Sequence, residues 1–280
     1  MPFLSILLGG PAVRWSGVVR SGLMASLVLI GCGADPTEPL PAGGIHLLFV
    51  GNSLTYVNDL PRTVEAIATA AGDTVRTAME AGPNLALIDH LNGATNAAET
   101  IRRGSWRFVV LQQGPTPAGI CRDSLVLWTR MFDERIRAAG AEPAVMMTWP
   151  AAAGGGAAFD EVRESFVAAA AAVNGVFLPA GEAWRSAWRE DPSLALYGPD
   201  QFHPSLVGTF LAALEIYERI TGRDTRSLPP VAFAGPTPLA LPEATVRLLQ
   251  RAAHDANTRF VARPGPAAPA RAQGAAAATC

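Results

Sequence analysis

One carboxylate in this chain stands three residues before a histidine, at the mouth of a strong helical pattern: Asp200-Gln201-Phe202-His203-Pro204-Ser205. Across a single turn the carboxylate can reach the imidazole and fix its tautomer. It also steadies the imidazolium that forms when the far nitrogen takes a proton. The positive end of the helix that follows disfavours a resting imidazolium, which favours the basic form. Such a base needs a nucleophile. Ser53 supplies a hydroxyl directly after the apolar run 45–50 and the break at Gly51, and that run reads as a buried strand of a parallel sheet. In open α/β sheets, ligands collect at the carboxyl ends of the strands. Ser53, His203 and Asp200 therefore have the types that nucleophilic acyl transfer requires.

The competing explanation for Ser53 is a helix cap. Asn58 or Asp59, just ahead of Pro61, makes a better start for the helical run Leu60, Val64, Ile67, Ala68, Ala71. Three other histidines need an account. His46 lies within the first strand and His254 on the last helix, both as packing or surface positions; His90 follows Ile88-Asp89 on a helix face and reads as a structural hydrogen-bonder. Neither Cys121 nor Cys280 has the spaced Cys/His partners of a zinc site, and acyl transfer through a serine, a histidine and an aspartate implies no metal or cofactor. An exported protein could pair Cys121 with Cys280, but Cys121 reads as a loop residue and Cys280 as the end of a tail, so the sequence leaves a bridge between them open.

Five short apolar segments, 45–50, 74–80, 106–112, 144–148 and 176–178, alternate with helical patterns. The second alternates apolar and polar residues and so lies nearer an edge. The helices follow around Leu85, Ile88 and Leu91, from Asp123 to Gly140, from Phe159 to Asn174, around Trp184 and Trp188, from Ser205 to Gly222, and from Pro242 onward. This alternation predicts one α/β domain over 44–261 with a parallel sheet of about five strands and helices on both faces. Right-handed crossovers put every loop that follows a strand on one rim. Residues 262–280 are Ala, Pro, Gly and Arg with too few bulky apolar side chains to pack, and read as a disordered tail.

The net charge is −2, every basic residue is Arg, and no basic stripe appears, which argues against nucleic acid as a partner. Arg14 and Arg20 precede a short apolar stretch that ends Leu29-Ile30-Gly31-Cys32, the layout of a secretory signal. About ten apolar residues cannot cross a bilayer of roughly 30 Å. The stretch resembles a bacterial lipobox, which implies a signal peptide over 1–31, lipidation of Cys32, a tether over 32–43, and an exported protein anchored to the bacterial membrane. Gly33 follows in place of Asp, which points to the outer membrane.

Gly51-Asn52-Ser53-Leu54 and Asp200-Gln201-Phe202-His203-Pro204-Ser205 resemble the first and last blocks of the SGNH/GDSL hydrolases. The resemblance implies a flavodoxin-like three-layer α/β/α sandwich and ester hydrolysis through Ser53, His203 and Asp200. Ordinary α/β-hydrolases need a G-x-S-x-G elbow, and here Thr55 takes the place of the second glycine. The family's oxyanion hole implies the N–H groups of Ser53 and Gly82, the latter in Glu80-Ala81-Gly82-Pro83-Asn84-Leu85. The family's third block carries an asparagine; this chain has Gln112-Gln113-Gly114-Pro115-Thr116-Pro117 instead, as in branches related to carbohydrate acetylesterases. Either Gln112 or Gln113 would be the side-chain donor, since successive strand residues face opposite ways.

The function expected on these grounds is hydrolysis of short-chain, acetyl-type esters, with carbohydrate as the bearer of the ester. Two alternatives stand beside it: a thioesterase or lipase-type acyl hydrolase, and a non-catalytic glycan-binding lipoprotein on the same fold. A phosphate binder would leave Asp200 and His203 without a purpose. Trp149, at the end of the fourth strand, is expected either to shape the substrate pocket or to pack in the core.

Overall fold

The structure, a computed structural model, describes residues 43–260. The signal segment, Cys32, the tether and the tail 262–280 lie outside the described residues. Five strands, β1 (Ile45–Gly51), β2 (Val75–Ala81), β3 (Phe108–Leu111), β4 (Glu142–Met146) and β5 (Val176–Leu178), form a sheet. Their order is β2-β1-β3-β4-β5, and all neighbours run parallel. The predicted flavodoxin-like sandwich is present, with β2 at an edge as its alternating pattern implied. Leu47 to Val50 and Val109 to Leu111 are wholly buried, because strands covered on both faces have no solvent side.

The helices are α1 (Ser53–Tyr56), α2 (Leu60–Ala70), α3 (Leu87–Leu91), α4 (Ala97–Arg103), α5 (Ile120–Ala138), α6 (Gly155–Ala172), α7 (Ala180–Glu190), α8 (Leu206–Thr221) and α9 (Glu243–Arg259). Helices α3 to α6 pack in one layer, and α2, α7, α8 and α9 in the other. The split follows from handedness. The β1–β2 crossover runs toward one edge of the sheet and the later ones toward the other, so right-handed connections place α2 opposite α3 to α6. Between β1 and β3 the direction of travel reverses. That switch point opens a crevice at the carboxyl ends of both strands.

Several boundaries differ from the sequence reading. Helix α5 begins at Ile120, not at Asp123, because Gly119 takes a left-handed φ of 78° and turns the chain into the helix three residues early. Cys121, read as a loop residue, is the second residue of α5 and is disulfide-bonded. Two three-residue strands, β6 (Ala232–Ala234) and β7 (Thr237–Leu239), form an antiparallel hairpin beside α2 that was not foreseen. Among the described residues no helix is long and apolar enough to cross a membrane.

Candidate active site

Ser53 is the first residue of α1, and Asn52 caps that helix by accepting a hydrogen bond from Leu54 N at 3.1 Å. The cap explanation for Ser53 is thereby removed: its hydroxyl is not used on its own backbone. It meets the imidazole of His203, with Nε2 2.9 Å from Ser53 Oγ across 150 residues of sequence. His203 Nδ1 lies 2.5 Å from Asp200 Oδ2. Since a carboxylate only accepts, Nδ1 carries the proton and Nε2 is left to accept from the serine hydroxyl.

The loop that carries Asp200 and His203 is short and heavily tied. Asp200 Oδ1 accepts from Phe202 N at 3.1 Å and from His203 N at 2.9 Å. Gln201 holds a left-handed φ of 59°, which turns the chain sharply enough for the carboxylate to bond both the backbone and the ring. The bond from His203, with these two backbone bonds behind it, pulls the Asp200 carboxyl down to about 2. It is therefore an anion throughout the neutral range. The Asp200 side chain is 51% exposed and that of His203 32%, so the site is open to solvent.

Behind the loop, Trp149 is buried and its indole N–H donates to Phe202 O at 3.0 Å, while its ring stacks on Trp184 at 3.8 Å. Of its two expected roles, Trp149 has the core one, and it holds the histidine loop from below. Tyr197 Oη donates to Pro150 O at 2.7 Å, and Ser205 caps α8 through Gly208 N. On the serine side, Asn58 Nδ2 donates to Pro204 O at 2.9 Å and to Thr209 Oγ1 at 3.0 Å.

The chain resembles, at 28% sequence identity and a TM-score of 0.52, a protein from Slackia heliotrinireducens described as a candidate SGNH hydrolase; the match covers 64% of this chain and all of that one. In sequence and fold the chain is similar to an SGNH hydrolase. A DUF4886 family protein from Bacteroides uniformis shares the fold at 17% identity and a TM-score of 0.63, over 80% of this chain and 98% of that one. So does a lipase/acylhydrolase from Enterococcus faecalis, at 17% identity and 0.51, over 64% and 96%. No protein-family model and no curated protein matches the chain.

The remaining positions expected from the SGNH/GDSL pattern are placed as follows. The Ser53 N–H is at the first position of α1, where a helix offers its N–H no partner of its own. Gly82 N donates to Gly51 O over a long 3.4 Å. Gln112 is fully buried, with its amide bonded to Asn52 and Thr55. Gln113 accepts from Leu87 N at 3.1 Å, and its Nε2 reaches only Thr116 Oγ1, at 3.5 Å. His90, on α3, is bonded through Nε2 to Gly51 O at 3.0 Å and through Nδ1 to Thr95 Oγ1 at 2.7 Å. The carbonyl only accepts, so Nε2 bears the proton. Burial lowers the His90 pKa, partly offset by the bond to Gly51, which keeps this ring neutral. His46 bonds Ser105 O and His254 bonds Glu218, both away from Ser53. His90 has the structural hydrogen-bonding role expected of it, whereas Asn58, read only as a possible helix start, gave no local signal of its bonds to Pro204 and Thr209.

Proposed function

We propose that this chain is an exported serine esterase that removes short acyl groups, acetyl above all, from carbohydrate. The observation that carries the reading is the unbroken relay from Ser53 Oγ through His203 to Asp200, at 2.9 and 2.5 Å. His203 Nε2 takes the hydroxyl proton as Ser53 Oγ bonds to the ester carbonyl carbon. Asp200 holds the ring and balances the imidazolium charge. The tetrahedral oxyanion collapses, the C–O bond to the alcohol breaks, and the alcohol leaves with the proton from His203. Water, deprotonated by the same nitrogen, then hydrolyses the acyl-enzyme and regenerates Ser53.

The donors for the oxyanion in this reading are the N–H of Ser53, the N–H of Gly82 and the amide of Gln113. Gly82 is only loosely held by Gly51 O, and the Gln113 Nε2 group has a single weak partner. Glutamine in the third block supports the carbohydrate acetylesterase branch. The exposure of His203 and Asp200 supports an alcohol portion too large to be enclosed. Lipidation at Cys32 would hold such an enzyme at the bacterial outer membrane, where polymeric substrates are met.

The test is direct. The purified protein should hydrolyse p-nitrophenyl acetate and take up a fluorophosphonate at Ser53, and Ser53→Ala should abolish both while melting like the wild type. A panel of acetylated and longer-chain esters then separates acetylesterase from lipase or thioesterase. No turnover and no labelling, with retained glycan binding, would identify the non-catalytic lipoprotein instead.

A further inference from the structure

We propose that Gln112 is a positioning residue: its buried amide grips the turn that carries Ser53 and does not serve as an oxyanion donor. The proposal rests on Ser53 being the nucleophile. Gln112 follows β3, and its backbone N–H donates to Val50 O at 2.9 Å, so it sits beside the end of β1. Its Oε1 accepts from Asn52 N at 2.8 Å and from Thr55 Oγ1 at 2.8 Å. Its Nε2 donates to Asn52 Oδ1 at 3.0 Å.

The orientation of both amides is forced. Leu85 O can only accept, so the Asn52 group 3.0 Å from it is Nδ2. Leu54 N can only donate, so the other end is Oδ1. Gln112 must then present Nε2 to Asn52 Oδ1, and Oε1 to the two donors. Both lone-pair directions of Oε1 are filled, and the amide plane is set by three bonds. Nothing larger than glycine fits beneath this knot: a Cβ at Gly51 would lie 2.4 Å from Gln112 Oε1 and 2.5 Å from Thr55 Oγ1.

Ser53 stands between the two gripped residues, Asn52 and Thr55, so its backbone and the direction of Oγ are set by Gln112 without contact with substrate. A displacement of about 1 Å at a reacting group costs about 10²-fold in rate. Loosening the knot should appear in kcat and leave substrate binding unchanged.

Thr55 provides the test, because it is buried and its hydroxyl bonds the amide. Thr55→Val keeps the shape and removes the donor; it should lower kcat about tenfold, with KM within about twofold. Thr55→Ser loses a methyl but keeps the donor and should restore kcat to within about twofold, which a packing role for Thr55 would not allow. Gln112→Glu should lower kcat about 10²-fold, since one carboxylate oxygen then opposes Asn52 Oδ1. The double variant Thr55→Val/Gln112→Glu should be no slower than Gln112→Glu, because both act through one network. Amide hydrogen exchange over 52–55 should rise in Thr55→Val and fall back in Thr55→Ser. Wild-type kcat and exchange in Thr55→Val, or rate losses that multiply, would overturn the proposal and return Gln112 to the oxyanion hole. The exchange readout does not need Ser53 to react, so failure of the esterase reading, seen as an inert wild type, is distinguishable from failure of this one.

Discussion

Asn58 is the residue at which the two halves of the candidate site are tied together, and its replacement tests whether that tie sets the chemistry. Its side chain donates to Pro204 O at 2.9 Å and Thr209 Oγ1 at 3.0 Å, across 146 and 151 residues. Pro204 is the neighbour of His203, and Asn58 lies two residues beyond the end of the helix begun by Ser53. The backbone of Asn58 is left-handed, at φ 59°, a conformation that asparagine tolerates and alanine resists. Two variants separate the causes. Asn58→Gly keeps the backbone shape and loses both hydrogen bonds, which at about 1 kcal/mol each comes to about 2 kcal/mol. Asn58→Ala loses the same bonds and adds a left-handed penalty of about 1–2 kcal/mol. Part of that difference is offset by the extra freedom glycine gives the unfolded chain, about 0.5–1 kcal/mol.

For a domain of this size, 2 kcal/mol corresponds to about 4–8 °C in Tm. The rate should behave differently from the stability. The hydrogen bonds of Asn58, and not its backbone shape, tie the His203 loop to the serine side, so both variants should lose kcat by the same factor, about tenfold or more, with little change in KM. Melting curves and steady-state kinetics on the pair are enough. Equal stability of both variants with the wild type would remove the tie itself. A fall in Tm with kcat unchanged would show that the 2.9 Å approach of Ser53 and His203 is held by other contacts, and the coupling argued here would be wrong.

Two further outcomes follow from the charges. Glu215 is wholly buried, neither oxygen has a hydrogen-bonding partner, and burial raises its pKa to about 8, against a smaller opposing pull from Arg219. The neutral form is the one the fold favours, so this stabilising preference is complete below the unfolded value of about 4.5 and is lost as pH rises toward 8. The slope is about 1.4 kcal/mol per pH unit, or about 3 kcal/mol between pH 5 and pH 7. Glu215→Gln should flatten the Tm profile over that window and melt higher at pH 7; parallel profiles would refute it. Asp200, held near 2 chiefly by the bond from His203, stays ionised, so the acid limb of kcat/KM should show one proton and not two. Asp200→Asn should lower kcat by about 10⁴ while leaving Tm nearly unchanged, and retention of a tenth of the activity would exclude the orienting role.

What was legible in the sequence is what lies close together along it. The apolar run before Gly51 announced β1, and the three-residue spacing of Asp200 and His203 announced a base with its orienter. The parts that escaped are set by long-range bonds. Gln112 and Gln113 are adjacent and chemically identical, and only the partners they meet, Asn52 and Thr55 for one and Leu87 for the other, tell them apart. Trp149 read equally as pocket or core, because its bond to Phe202 O spans 53 residues. Helix α1 has four residues and β6 and β7 three each, too few for any period to register.

The site is built from parts of unequal rigidity, and this explains where the polar ties fall. Ser53 and Gln112 follow β1 and β3, neighbouring strands at the switch point, and their mutual placement is inherited from sheet register: Val50 pairs with Leu111. His203 has no such support. It stands on a loop ahead of α8, outside the sheet, where nothing in the ladder sets its distance from Ser53. That distance is set by ties outside the sheet: backbone bonds from Gly198 N to His203 O and from Ala152 N to Gln201 O, with the side chains of Trp149 beneath the loop, Asn58 across it and Asp200 within it. Gln201 accepts a strained backbone to complete the last of these. In such a layout the nucleophile should be insensitive to changes in the histidine loop. The base should be sensitive to changes in the side chains that hold its loop.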